Sequence, residues 1–169
     1  MVYCINPESE EPIFCIFDQI GKDDENPEDP YVDGNLFAKE LLSIDGLGKK
    51  RIQVWINSEG GNVKEGYSII TAMLQSKTKV DVLVIGIAYS IMGVAALMGR
   101  KVEMMNFSTL MFHNPFNPDG TVDKGLEVIK QSLITAVASR TGKSESEVGS
   151  FMARTSFYTA KEAETEGFV

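Results

Sequence analysis

Ser90 lies at the junction between an apolar stretch typical of a buried strand, 80–88, and an apolar stretch typical of a helix, 90–99. A serine at such a junction can cap the helix, which is the commoner role, or serve as a nucleophile on a sharp turn. The carboxyl ends of strands in open α/β sheets carry ligand sites, and the amides at a helix N-terminus favour negative charge. Ser90 is therefore a candidate nucleophile if the chain also supplies a base and donors for an oxyanion.

Two other features supply those groups. Gly60 and Gly61 follow the preceding predicted strand, so their loop is expected beside Ser90, where a bare backbone amide can approach a reacting carbonyl. The amide of Ile91, directly after the serine, is the second candidate donor. His113 is the only histidine in the chain and closes a predicted strand, which makes it the candidate general base. A Gly-Gly pair is usually a plain turn and a lone histidine is usually a surface residue, but the three features together favour a serine hydrolase.

The pattern along the chain predicts an α/β fold with a parallel sheet, because short apolar strands alternate with helical segments. The predicted strands cover 13–17, 52–56, 80–88, 101–106 and 109–113. The predicted helices cover 35–44, 63–76, 90–99 and 121–142, and two more begin at the capping boxes SESE (144–147) and TAKE (159–162).

An acidic insert at about 18–34 interrupts this pattern. Its segment DQIGKDDENPEDPYVD carries seven acids, one lysine and two prolines, which predicts a solvated loop that buries little. The alternative interpretation is an acidic docking surface. The helix at 121–142 carries a narrow apolar stripe that could pack on its own domain or on a neighbouring subunit: Val122, Leu126, Ile129, Leu133 and Val137.

Composition indicates one globular domain spanning 1–169, with 43% apolar and 24% charged residues. The net charge of −8 argues against nucleic acid as a partner. No apolar run is long enough to span a membrane and no secretion signal is evident, so we expect a cytoplasmic protein. Two cysteines and one histidine are too few for a metal site, and we expect no metal and no cofactor.

The order of the motifs INSEGGNVKEGYSI, GIAYSIMGVAALMG, MFHNP and RTSFYTAKEAETEGF resembles that of the Clp protease proteolytic subunit family. The resemblance implies a ClpP/crotonase-like ββα superhelix with a protruding handle helix at 121–142. By position it implies that Ser90 is the nucleophile and His113 the base, with the oxyanion held by the amides of Gly61 and Ile91. The segment around the glycine pair and the loop after His113 would bind an extended substrate strand through Gly60, Asn62, Val63 and Phe116.

The resemblance also implies partners for this chain. Members of the family are serine endopeptidases that hydrolyse peptide bonds through an acyl-enzyme inside homo-oligomeric rings, often two stacked rings. A polypeptide substrate is therefore expected, with an ATPase unfoldase as a possible partner. In a divergent member of the viral head-maturation type, the partners would instead be capsid or scaffold proteins.

One position departs from the family pattern. Thr155 occupies the slot where the family usually has the aspartate that orients the histidine. Asp119 or Asp123 could replace this carboxylate, or a Ser–His dyad could act slowly without one. A catalytically weak or inactive structural subunit is thus the main alternative, and a crotonase-fold acyl-CoA enzyme is a weaker one.

Overall fold

The structure, a computed structural model, describes residues 1–169. Its eight strands are β1 (Ile13–Ile16), β2 (Gln19–Ile20), β3 (Tyr31–Val32), β4 (Ile52–Ser58), β5 (Val80–Tyr89), β6 (Val102–Met104), β7 (Thr109–Phe112) and β8 (Ser156–Thr159). Its six helices are α1 (Gly34–Asp45), α2 (Val63–Gln75), α3 (Ile91–Leu97), α4 (Lys124–Thr141), α5 (Glu145–Ala153) and α6 (Ala160–Thr165).

A six-stranded sheet forms the centre of the molecule, in the order β1-β4-β5-β7-β8, with β6 also paired to β5. Every pairing is parallel except that of β7 with β8. The α/β architecture predicted from the sequence is confirmed. Because β4 and β5 are parallel neighbours, their carboxyl ends lie at the same edge of the sheet, and α2 and α3 begin there.

The core lies between the sheet and the helices. Alternate residues of β4 are fully buried, as period-two side-chain alternation requires: Ile52, Val54 and Ile56. All seven residues of α3 are buried, as its nearly continuous apolar sequence predicts. This helix is therefore held from all sides, and its first residue, Ile91, has a well-defined position beside the end of β5.

The acidic insert is more ordered at its ends than the sequence predicts. Its two ends form the strands β2 and β3, which pair in parallel, and the segment between them has no helix or strand. Ile20 and Val32 are almost completely buried, with 1% and 2% of their surfaces exposed. The expectation of a loop that buries little is wrong at these two positions, because both apolar side chains join the main core.

The long helix begins three residues later than the predicted start at 121. Asp123 caps it by accepting a hydrogen bond from the amide of Leu126. The buried residues of α4 all lie in its second half: Leu133, Ile134, Val137 and Ala138. The first half of the helix is largely exposed, and Val122 lies outside it. Of the five residues of the predicted stripe, only Leu133 and Val137 are therefore buried.

The strand β8 was not predicted. The capping box predicted to begin α6 is present, with Thr159 and Glu162 in the expected roles. No helix is both long and apolar enough to cross a membrane, and no three potential metal-binding side chains of the His, Cys, Asp and Glu types cluster together.

Candidate active site

Ser90 occupies a strained turn between β5 and α3. Its backbone has φ 56° and ψ −125°, a conformation that residues other than glycine rarely adopt and that costs about 1–3 kcal/mol. Its amide donates a hydrogen bond of 2.9 Å to the carbonyl of Met111 in β7, which holds the turn against the sheet. The side chain makes no capping hydrogen bond to α3, so the helix-cap interpretation does not apply.

The side chain of Ser90 instead contacts His113. The parallel pairing of β5 with β7 aligns Tyr89 with Met111, so the residues that follow both strands meet at the same edge. Oγ of Ser90 and Nε2 of His113 lie 2.7 Å apart, which is a hydrogen bond. This distance is the one that a general base needs to take the proton of a serine hydroxyl.

The environment of His113 favours its neutral form. Burial lowers the pKa of the imidazole below its ordinary value, and a hydrogen bond to the backbone of Asn114 offsets this in part. A neutral ring with its proton on Nδ1 leaves Nε2 free to accept the proton of Ser90. The centre of the ring also lies 5.6 Å from that of Phe116, a residue that is 69% exposed.

Gly60 and Gly61 form a tight turn between Ser90 and the acidic insert. A Cβ on Gly60 would lie 2.6 Å from the carbonyl oxygen of Tyr89 and 2.9 Å from Cβ of Ser90. A Cβ on Gly61 would lie 2.3 Å from the carbonyl oxygen of Ile20. Both glycines also have positive φ, 91° and 137°, so no other residue fits here without displacing its neighbours.

Only one edge of this turn forms backbone hydrogen bonds to the acidic insert. Ile20 donates to the carbonyl of Gly60 (2.7 Å) and accepts from the amide of Asn62 (2.8 Å). The amide of Gly61 points to the other edge and donates no hydrogen bond within the chain, and the same is true of the amide of Ile91. Two donors that the fold leaves unpaired therefore lie near the hydroxyl of Ser90, an arrangement that can bind an oxyanion.

A small, mostly apolar pocket opens beside Ser90 and His113. Its apolar lining includes Val63, Val94, Phe112, Pro115, Leu133 and Met152. Only Val63 among these was predicted to contact substrate. Met152 had no recognisable signal, whereas Leu133 lies on the apolar stripe predicted for the long helix. Asn62 has another local role, because its side chain caps α2 by accepting from the amide of Glu65 (3.2 Å).

Thr155 makes no hydrogen bond to His113. The antiparallel pairing of β7 with β8 ends at Phe112 and Ser156, and His113 and Thr155 are the residues that flank this last pair. Thr155 has φ 54° and, with Ser90, is one of only two non-glycine residues with positive φ in the chain. Asp119 and Asp123 do not reach the histidine either, since Asp119 accepts from Thr121 and Asp123 caps α4. No carboxylate is paired with His113.

Comparison with known proteins identifies the family of the chain. Residues 33–169 match the family model described as Clp protease. The chain is also 32% identical over 147 residues to the ATP-dependent Clp protease proteolytic subunit 3, chloroplastic, of Arabidopsis thaliana. That alignment covers 80% of this chain and 47% of the relative, so the chain spans about half the length of the curated protein that it matches. The fold and the family model together establish that this chain belongs to the Clp protease family.

Proposed function

We propose that the protein is a serine endopeptidase that hydrolyses peptide bonds through an acyl-enzyme. The observation that carries the proposal is the 2.7 Å hydrogen bond between Ser90 and His113 at a turn whose backbone is strained. Strained backbone of this kind persists where function requires it, and it presents the hydroxyl away from the helix that follows.

The chemistry follows from the positions of four groups. Oγ of Ser90 attacks the substrate carbonyl while Nε2 of His113 takes its proton, and the amides of Gly61 and Ile91 hold the resulting oxyanion. His113 then gives the proton to the leaving amine, and an ester remains on Ser90. Water deprotonated by His113 attacks this ester, which regenerates the hydroxyl and releases the new carboxylate.

The substrate in this proposal is an extended polypeptide. The free edge of Gly61 can pair with its backbone, while Gly60 and Asn62 keep their hydrogen bonds to Ile20 and support this edge from behind. Val63 lies on the wall of the small apolar pocket beside Ser90, and the ring of Phe116 lies beside that of His113, so both would contact a substrate bound along this edge. Rates on small peptides should be low, because no carboxylate stabilises the imidazolium of His113.

We further propose a cytoplasmic homo-oligomer, in which the exposed first half of α4 contacts a neighbouring subunit in one ring or between two stacked rings. The relative's name describes it as the proteolytic subunit of an ATP-dependent protease, which supports an ATPase unfoldase as a partner. Capsid or scaffold proteins remain the alternative partners. Sedimentation velocity of the full chain tests the oligomer, since a single species at 18.6 kDa would contradict it.

One observation favours a second candidate function, a structural subunit with little or no activity. Without a carboxylate, His113 is oriented only by its backbone neighbours and by the hydroxyl of Ser90. No feature of the site favours the acyl-CoA alternative, which would require neither Ser90 nor His113 at these positions.

Labelling with a fluorophosphonate probe separates the two candidates, because the probe reacts with an activated serine. We expect one adduct per chain by intact mass, none in Ser90→Ala and much slower labelling in His113→Ala. Ser68→Ala, a change of a serine on α2 outside the site, should label like the unchanged protein. Absence of any adduct on a folded chain would refute the peptidase proposal and favour the structural subunit.

A further inference from the structure

The two ends of the acidic insert meet on the turn that carries Gly61. β2 pairs with this turn through Ile20, and the amide of Gly21 donates to Val32 of β3 (2.9 Å), so both strands of the insert form one unit. Gly21 lies against the first turn of α2, where an added Cβ would be 2.8 Å from Cβ of Asn62. The insert therefore supports the glycine turn on the side opposite Ser90.

Glu65 connects this unit to the helices. Its Oε2 accepts a hydrogen bond of 2.8 Å from the amide of Gly34, the first residue of α1, which begins one residue after β3. Gly34 is in turn packed on the backbone of α2, because an added Cβ would lie 2.3 Å from the carbonyl oxygen of Glu65. Glu65 has no cationic partner, and its side chain is half-buried between the insert and α2.

The same turn of α2 also contacts the second candidate donor. Gly66 receives the side chain of Ile91, since a Cβ added to Gly66 would lie 2.2 Å from Cγ1 of that isoleucine. The segment 61–66 therefore contains one of the two residues whose amides are unpaired, Gly61, and packs against the other, Ile91. A shift of this segment would change the separation of the two amides.

We propose that Glu65 is a positioning residue, which ties the ends of the acidic insert to the first turn of α2 and thereby sets the direction of the Gly61 amide. This inference rests on the proposed function, in which that amide holds an oxyanion. The acidic insert then has a role that does not depend on its charge, because Ile20, Gly21 and Gly34 make the contacts and the acidic residues between β2 and β3 do not.

Kinetics of three variants test the catalytic consequence. Loss of one complete oxyanion donor typically reduces kcat by about 100- to 1,000-fold, so we expect a misdirected donor in Glu65→Ala to reduce it by about 10-fold, with KM changed by less than about 3-fold. Glu65→Gln keeps an oxygen acceptor for the Gly34 amide and should stay within about 3-fold of the unchanged protein. Glu147→Ala is the matched control, because Glu147 on α5 accepts the backbone amide of the capping residue Ser144 and lies outside the site.

Hydrogen exchange tests the tether independently of any activity. The amide of Asn62 is protected by the carbonyl of Ile20, and we expect its exchange to accelerate at least about 10-fold in Glu65→Ala but not in Glu65→Gln or Glu147→Ala. Unchanged exchange in Glu65→Ala would overturn the inference whatever the activity. If the unchanged protein does not react with the fluorophosphonate probe, the proposed function fails. The exchange rate of the Asn62 amide then still tests whether Glu65 holds the insert against α2. Equal kcat in the unchanged protein and Glu65→Ala would overturn the positioning role.

Discussion

Thr155 is the position where we expect a new carboxylate to act most strongly on the Ser90–His113 pair. It flanks the last pair of the β7–β8 ladder on the side of His113, and continuing that register by one step would bring the two Cα atoms to about 4.5–5.5 Å. An aspartate side chain can span this distance to Nδ1 of the ring. We therefore expect Thr155→Asp to increase kcat for peptide hydrolysis, because the carboxylate orients the ring and stabilises the imidazolium that forms during catalysis.

The magnitude follows from the separation that an aspartate at 155 would give in this register and from the exposure of the two residues. Two unit charges 4 Å apart interact by about 4 kcal/mol at an effective dielectric constant near 20. Thr155 is exposed and His113 is half-buried, so solvent screens the pair and about 1.4–2 kcal/mol remains. This free energy corresponds to an increase in kcat of about 10- to 30-fold. It is less than the roughly 10⁴-fold effect of the buried carboxylate in a complete triad.

The assay is the pH dependence of kcat with a fluorogenic peptide. The new carboxylate opposes the effect of burial on the pKa of His113, so the acid limb of the profile should move to higher pH. Thr155→Asn is the matched control, because asparagine has the same size and accepts positive φ equally well but carries no charge. If Thr155→Asp folds normally yet leaves both kcat and the acid limb unchanged, Thr155 does not face the ring and the reasoning fails.

Two further predictions concern stability. Burial lowers the pKa of His113, so the unfolded chain binds more protons there and the free energy of unfolding should fall as the pH decreases below about 6.5. His113→Gln should remove this part of the dependence in urea titrations at several pH values, and an identical slope in both proteins would contradict it. Glu40, 7% exposed, accepts the amides of Val2, Tyr3 and Cys4. Glu40→Ala should cost about 2–4 kcal/mol by urea denaturation and Glu40→Gln about half as much, whereas equal costs would refute an acceptor role.

Much of the fold follows from local sequence. Strands and helices are distinguished by the period of their apolar residues, and the capping residues Asn62, Asp123, Ser144 and Thr159 begin four of the helices. The order of the glycine pair, Ser90 and His113 is also a property of the sequence. Because consecutive parallel strands end at the same edge, this order is enough to predict that the three features lie close together.

The details that decide the chemistry depend on pairing between distant segments. The sequence does not show that β8 pairs with β7, and it is this pairing that brings Thr155 and His113 to the same end of the two strands. Nor does it show that Ile20 occupies one edge of the glycine turn, which leaves the amide of Gly61 for a substrate. Composition alone predicts that the acidic insert is solvated, because charged residues outnumber its apolar ones. Its two buried apolar residues, Ile20 and Val32, lose their exposure only through the pairing of β2 with β3 and with the glycine turn.

Residue type and local periodicity are thus enough to identify the residues available for acyl transfer, since neither requires knowledge of the fold. The strain at Ser90, the direction of the two free amides and the lack of a carboxylate paired with His113 arise from tertiary contacts. Each of these depends on contacts across 20 or more residues of sequence, such as the 23 residues between Ser90 and His113. Local propensities carry no information at that range.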